Sequence, residues 1–267
     1  MTSDEWRRAA DPGRRIGSRV EHHATIASTN DRAWQLLADG QPDGLAVVAD
    51  LQTAGRGRRG RAWSSPAGVN LMTSVALRPR LPAARAGLLG IAAALAVRDA
   101  CSSLVPGADL LVKWPNDVVT PDGRKMAGLL LETRLDGAEL AEAVIGMGIN
   151  VNWRAADMPP ELANRAASLC DQAGSEVSRV ALLAALLAAL DRELAALEHG
   201  DSPIDRLGAV SALEGRDVSI DLGERLVEGR VVGYTDEGLL QLDTDSGLQT
   251  LAIGEVVAVR GLERVPG

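Results

Sequence analysis

Phenylalanine is absent from the chain, and one tyrosine and five tryptophans are its only aromatic residues. That leaves no repeated aromatic faces on which single-stranded nucleic acid could stack its bases. Positive charge is also scarce, with 28 Lys and Arg against 36 Asp and Glu and a net charge of -8. Such a balance repels a polyanion as a whole. The two cysteines, Cys101 and Cys170, sit apart in apolar or small-residue segments, which argues against a disulfide framework or a zinc site and reads as buried packing. Only three histidines occur, His22, His23 and His199, and no nucleophile–base arrangement is recognisable. No membrane span is expected either: "LLAALLAALDRELAAL", read as the longest apolar segment, is broken by charge before it could cross a bilayer. The N-terminus "MTSDEWRRAADPGRR" has no apolar centre of a signal peptide. The expectation is a cytoplasmic protein with no membrane and no DNA partner.

What is present is ordinary globular material, 46% hydrophobic and 24% charged over 267 residues, enough for one large domain or one large and one small. Strand patterns at 19–26 and 44–52 flank "STNDRAWQLLADG", where a residue of 28–30 caps a short helix that Gly40 ends. A strand at 70–78, a helix over 83–103 and a strand at 110–115 follow. "PDG" at 121–123 turns the chain back into "KMAGLLLETRL", and 141–152 supplies a further strand. Strands outnumber helices and hairpins are frequent, which predicts an α+β domain with a mixed sheet. The spacing of Val180, Leu183, Leu186, Leu187, Leu190, Leu194 and Leu197 predicts a helix over 178–199. Beyond it, five short strand patterns in 215–262 predict a small SH3-like barrel. The expected organisation is an N-terminal tail over 1–18, a catalytic domain over 19–212 and the barrel over 213–267.

Four clusters carry chemistry. "GRGRRGR" at 55–61 is four arginines and three glycines, unable to fill a core or build a good helix. Glycines allow backbone N–H groups to approach a ligand, and arginine forks grip carboxylate or phosphate oxygens, so the loop suits a small polyanion and is expected to order around it. A solvated charge run or an RNA-binding Arg-Gly tract are the other readings; the latter lacks aromatics. "KWPND" at 113–117 places an ammonium, an amide and a carboxylate at a strand end. Trp114 and Asp117 there read equally as packing and capping, whereas Lys113 interrupts an apolar strand and needs water or an anion. "GMGIN" at 146–150 puts two glycines inside a strand, as when something lies against the backbone. "ASTN" at 27–30 alone is a helix cap.

Together the pieces "STN" at 28–30, "QTAGRGRRGRAW" at 52–63, "KWPND", "KMAGLLLE" at 125–132 and "GMGINVN" at 146–152 resemble the biotin protein ligases, in that family's order. The resemblance spans roughly 20–260. It implies a mixed-sheet, class II synthetase-like catalytic domain followed by the SH3-like barrel. It also implies a two-step reaction: biotin and ATP form biotinyl-5′-AMP and pyrophosphate, and the biotinyl group then passes to a lysine of a biotin carboxyl carrier domain. By resemblance, Ser28, Thr29, Asn30, Gln52, Gly55, Arg56, Gly146 and Gly148 would bind biotin. Lys113 and Arg58 would hold the carboxylate and the transferred phosphoryl group. Arg61, Trp63, Asn116 and Asn150, with Arg58, would meet ATP or the adenylate. Asp117 would orient or deprotonate the incoming amine, and Lys125 would help release AMP. No protein metal site is implied; Mg²⁺ would bridge the ATP phosphates.

Some members of that family carry an N-terminal winged helix-turn-helix, but about eighteen residues precede the first strand here, so a ligase without operator binding is expected. A lipoate or octanoate ligase or transferase is the nearest alternative enzyme. A protein that only sequesters biotin or a nucleotide is the alternative of another class, and it leaves Lys113 and Arg58 unexplained. Monomer and homodimer are both compatible with the chain.

Overall fold

The computed structural model describes residues 1–260. The chain opens on a short helix, α1 (Ser3–Arg7), that no periodicity announces. Thr2 caps it, and the Glu5 carboxylate accepts from Thr2 N–H at 2.6 Å to complete a capping box. Trp6 of α1 is fully buried. Its ring stacks 6.0 Å from that of His22 and lies 5.1 Å from the Arg179 guanidinium. Ile16 is equally buried, so the segment 1–18 is packed into the main core rather than trailing from it. The physical reason is the apolar area of one indole and one isoleucine, too large to leave in water when a sheet lies alongside.

The elements that follow are β1 (Val20–His23), α2 (Thr29–Ala38), β2 (Ala46–Ala49), β3 (Leu71–Leu77), α3 (Ala86–Leu104), β4 (Leu111–Lys113), β5 (Asp117–Val119), β6 (Lys125–Asp136), β7 (Glu139–Ile149), α4 (Pro160–Ala163), α5 (Leu169–Ala173), α6 (Arg179–Glu198) and α7 (Ile204–Ala209). The strands form one sheet in the order β1-β2-β3-β7-β6-β5-β4. β1 and β2 run parallel and every other neighbour is antiparallel, the mixed sheet of an α+β domain. β1 and β2 are shorter than their residue patterns, and pairing between these segments resumes only as a single parallel bridge, Ile26 to Gln52.

Alternation along the strands divides the core between two faces. Ala46, Val48, Val75, Ala143 and Ile145 join α3 and α6 in the larger cluster. Val47, Ala76 and Val144 point the other way and pack on Ala33, Leu36 and Leu37 of α2. The segment Ala83–Leu104 is long and apolar enough to cross a membrane, yet its side chains from Leu88 to Cys101 are largely spent on this core.

The chain then builds a second sheet from β8 (Asp217–Asp221), β9 (Leu226–Tyr234), β10 (Leu240–Thr244), β11 (Gly247–Leu251) and β12 (Glu255–Val259). It is antiparallel throughout, in the order β11-β10-β9-β8-β12. Inward residues Val218, Ile220, Val231, Leu240 and Leu242 form its own core. Trp114, from the end of β4, completes that core and donates its indole N–H to Gly238 O at 3.1 Å. The two sheets are thus keyed together beside Lys113. Residues 261–267, the last part of the expected barrel segment, lie outside the described residues.

Candidate active site

Where β3, β6 and β7, the Gly-Arg loop and the start of β12 meet, they enclose a cavity of about 960 Å³. One end is polar. Ser28 is the N-cap of α2, its hydroxyl accepting from Asp31 N–H at 3.4 Å, which presents residues 28–30 at the helix start. Gln52, arriving from β2, turns its Oε1 to Thr29, accepting from Thr29 N at 2.7 Å and facing Thr29 Oγ1 at 3.0 Å. Behind this pair, Ser74 Oγ lies 2.7 Å from Thr29 Oγ1 and 2.6 Å from Asn30 Oδ1, and Asn30 Nδ2 donates to Glu132 at 2.9 Å. Asn30 sits so close to β7 that a Cβ at residue 146 would fall 2.2 Å from its Oδ1, so the site needs Gly146.

The rest of the wall is cationic, and it begins beside the polar end itself. Arg56 is gripped by both oxygens of Asp31, at 2.6 and 2.9 Å, and this pairing raises the arginine pKa and holds the Asp31 carboxyl below its usual value. Arg58 donates to Asn116 Oδ1 at 2.9 Å and to Gly254 O at 3.3 Å; burial lowers its pKa. Arg61 pairs with Glu255 at 2.6 Å. Arg59 takes the left-handed conformation (φ 54, ψ 33) that turns it out of the cavity wall, toward Asp221 at 2.7 Å and Glu255 at 3.3 Å.

Lys113 closes β4 at 9% exposure, its Nζ 3.3 Å from Val256 O. Burial lowers its pKa, while Asp117 pulls the other way. Asp117 in turn pairs with Lys125 Nζ at 2.7 Å. A buried ammonium with one carbonyl partner, next to Arg58 and Arg61, is a ready receptor for an anion.

The Trp63 indole packs over Gly128 of β6 and Gly148 of β7. A Cβ at residue 148 would meet it at 2.4 Å, so Gly148 makes room for the tryptophan; Lys125 Nζ stands 5.6 Å from the ring centroid. The indole N–H is buried without a partner. Asn150 donates to Lys125 O at 3.1 Å and lies on the same wall.

Ser28, Thr29, Asn30, Gln52, Arg56, Arg58, Arg61, Trp63, Lys113, Asn116, Asp117, Lys125, Gly146, Gly148 and Asn150 all line this one cavity. Gly55 does not. It sits at the loop base, where its carbonyl accepts from Trp63 N–H at 2.9 Å and a Cβ would strike Trp63 O at 2.5 Å. That close backbone approach is reason enough for a glycine at this position. Sequence reasoning missed Ser74, Glu132 and Glu255. Their strand positions carry no signal beyond a polar residue in a strand, although Glu132 does end the quoted "KMAGLLLE" run.

Comparison with known proteins gives this geometry its context. The profile of the biotin/lipoate A/B protein ligase family matches residues 23–150, and that of the biotin protein ligase C-terminal domain matches residues 215–258. A bifunctional ligase/repressor BirA of Bacillus subtilis (strain 168) is 32% identical over 243 residues, covering 90% of this chain and 74% of the relative. A biotin–[acetyl-CoA-carboxylase] ligase of Paracoccus denitrificans is 36% identical over 238 residues, 87% of this chain and 98% of the relative. The solved structure of a biotin protein ligase from Aquifex aeolicus, in complex with biotin and ATP, superposes with a TM-score of 0.75 at 28% identity, covering 90% of this chain and 98% of that one. Sequence and fold are shared over about nine-tenths of the chain, and the chain belongs to the biotin protein ligase branch of the biotin/lipoate A/B protein ligase family.

Proposed function

We propose that the protein activates biotin with ATP and transfers it to a lysine of a biotin carboxyl carrier domain, as expected for a ligase acting on acetyl-CoA carboxylase. The observation that carries this is the polarity of the cavity: a donor–acceptor relay ending at Thr29 and Gln52 on one side, and Lys113, Arg58 and Arg61 on the other. The first suits the ureido ring of biotin and the second its carboxylate beside the ATP phosphates. A lipoyl or octanoyl chain would leave the polar relay without partners, which favours biotin over those acids.

In the first step a biotin carboxylate oxygen attacks the α-phosphorus, an O–P bond forms, and the bond to pyrophosphate breaks. Charge gathers on the phosphoryl oxygens, where the buried Lys113 ammonium and the half-buried Arg58 guanidinium stabilise it. In the second step a lysine amine attacks the acyl carbon, the acyl–phosphate bond breaks, and AMP leaves with its electron pair. In this reading Asp117 orients that amine and takes its proton, and Lys125, 2.7 Å from Asp117, balances the charge left on AMP. Holding both reactants in one cavity supplies the remaining rate.

Mg²⁺ would enter with ATP and neutralise part of the charge on its phosphates. The proposed organisation remains a catalytic unit over 19–212 and a C-terminal unit over 213–267 that braces the loop through Glu255. The term repressor belongs to the Bacillus relative; the net charge of -8 works against nonspecific attraction to DNA, and the reading adopted here assigns this chain no operator.

Purified protein with biotin and MgATP, and no carrier, should yield biotinyl-5′-AMP and pyrophosphate. Adenylate formed from lipoate or octanoate instead would move the protein to the sister activity, and none from any of the acids would leave only sequestration.

A further inference from the structure

We propose that Glu132 is a positioning residue for the ureido end of the site: its carboxylate sets the direction of a hydrogen-bond relay running through Asn30 and Ser74 to Thr29 and Gln52. The inference rests on the biotin reading above. Glu132 belongs to β6 and does not line the cavity, so it acts on the ligand only through the residues it orients.

The direction follows from donor inventory. Trp34 Nε1 can only donate, and it does so to Glu132 Oε2 at 2.9 Å. The same oxygen takes Asn30 Nδ2 at 2.9 Å, while Arg56 Nη2 stands 3.6 Å from Oε1. An ionised carboxylate has no proton to give, so Asn30 must turn its amide nitrogen to Glu132 and its oxygen to Ser74. Ser74 then spends its single proton on Asn30 Oδ1, at 2.6 Å. The Thr29 hydroxyl proton is left to Ser74 Oγ at 2.7 Å or Gln52 Oε1 at 3.0 Å, and either way it points into the relay.

Gln52 is locked in the same sense. Its Oε1 accepts the Thr29 backbone N–H at 2.7 Å, which leaves Nε2 as the free group. The cavity wall therefore offers lone pairs at Thr29 and an N–H donor at Gln52, the complement of a cyclic urea with its ring N–H groups and single carbonyl. Without Glu132 nothing dictates which way Asn30 faces. Asn30 could then donate to Ser74 and Ser74 to Thr29, which takes up a Thr29 lone pair that the ligand would otherwise meet, while Gln52 keeps its orientation. The wall would lose part of its preference for a urea over a group of opposite polarity.

The test compares biotin with 2-iminobiotin, in which C=NH replaces the carbonyl, by pyrophosphate release from the full chain with MgATP. Unaltered protein should strongly prefer biotin. Glu132→Ala is expected to raise KM for biotin about tenfold, to leave KM for ATP unchanged, and to lower the biotin-to-iminobiotin ratio of kcat/KM about tenfold. Glu132→Gln keeps an acceptor oxygen for both N–H donors and should hold all three within about threefold of the unaltered values. Should Glu132→Ala fail to fold, Ser74→Ala cuts the relay elsewhere and must lower the same ratio. An unchanged ratio in Ser74→Ala, or in a folded Glu132→Ala, overturns the inference, as does an equal rise of both KM values. In each of those cases the biotin reading survives on the unaltered protein's adenylate. Absence of that adenylate overturns both.

Discussion

Arg61 Nη1 lies 2.6 Å from Glu255 Oε1, an ion pair that ties the Gly-Arg loop of the large sheet to the edge strand of the small one. Glu255 also meets Arg59 at 3.3 Å, so one carboxylate from β12 holds two loop arginines. Glu255→Ala should free the loop without unfolding either sheet. Exposed pairs are worth at most about 1 kcal/mol each, so the expected effect is a roughly threefold to tenfold rise in KM for ATP. Limited trypsin digestion should then cut faster within 56–61. Unchanged KM and unchanged cleavage together would refute a bracing role for the C-terminal sheet.

Lys113 is where function and stability oppose each other. Its charge is disfavoured by burial, so Lys113→Met should lower adenylate formation by about 10²- to 10³-fold while leaving the melting temperature equal or higher. The pH dependence has a definite sign. With a folded pKa below the ordinary 10.5, Lys113 loses its proton at lower pH than an exposed lysine does. Pyrophosphate release should therefore decline on an alkaline limb that starts below the usual lysine range. Between the folded and unfolded pKa values the unfolded chain binds more protons, so the penalty shrinks as pH rises. Any stability gained by the methionine variant should fade over that same interval, as thermal unfolding across pH would read.

The two strand glycines should separate in their effects. Gly146→Ala drives a methyl into Asn30 Oδ1, and Gly148→Ala drives one into the Trp63 ring. Overpacking of this kind costs about 1–3 kcal/mol. The first should raise KM for biotin selectively, because Asn30 belongs to the polar relay. The second should change tryptophan emission and raise KM for ATP. Identical kinetic profiles for the two variants would contradict the division of the cavity into a polar and a nucleotide end.

Much of this site was legible because its residues violate local rules. Lys113 interrupts an apolar strand, Gly146 and Gly148 weaken another, and "GRGRRGR" suits neither helix nor core; such conflicts mark function. A cap within 28–30, which the structure resolves to Ser28, and the stop at Gly40 were readable because capping chemistry is local. Glu132, Ser74 and Glu255 break no local rule. Their partners lie far along the chain, as with Glu132 and Asn30 or Glu255 and Arg61, and only the folded register brings them together. Gly55 shows the limit of such reading, since a glycine in an Arg-Gly loop looks the same in sequence whether a ligand or the chain's own backbone comes close to it. Helix α1, five residues long, is too short for periodicity to register, and its stability comes from tertiary packing.

That packing makes the last prediction. Trp6 fills a space between His22 and Arg179, and Arg179, at 5% exposure, donates to Asp50 at 2.9 Å and to Asn70 O at 3.2 Å. Removing the indole leaves a cavity beside a buried ion pair, so Trp6→Ala should cost about 3–5 kcal/mol. Trp6→Phe keeps most of the volume and should cost less. Neither residue touches the active-site cavity, so KM for biotin and ATP should stay within about twofold wherever the variant remains folded. Urea unfolding reads the result directly: a lower midpoint at unchanged slope is the expected outcome. A midpoint equal to that of the unaltered protein would mean that α1 contributes nothing to the fold, and that the buried Arg179–Asp50 pair is held from the sheet side alone.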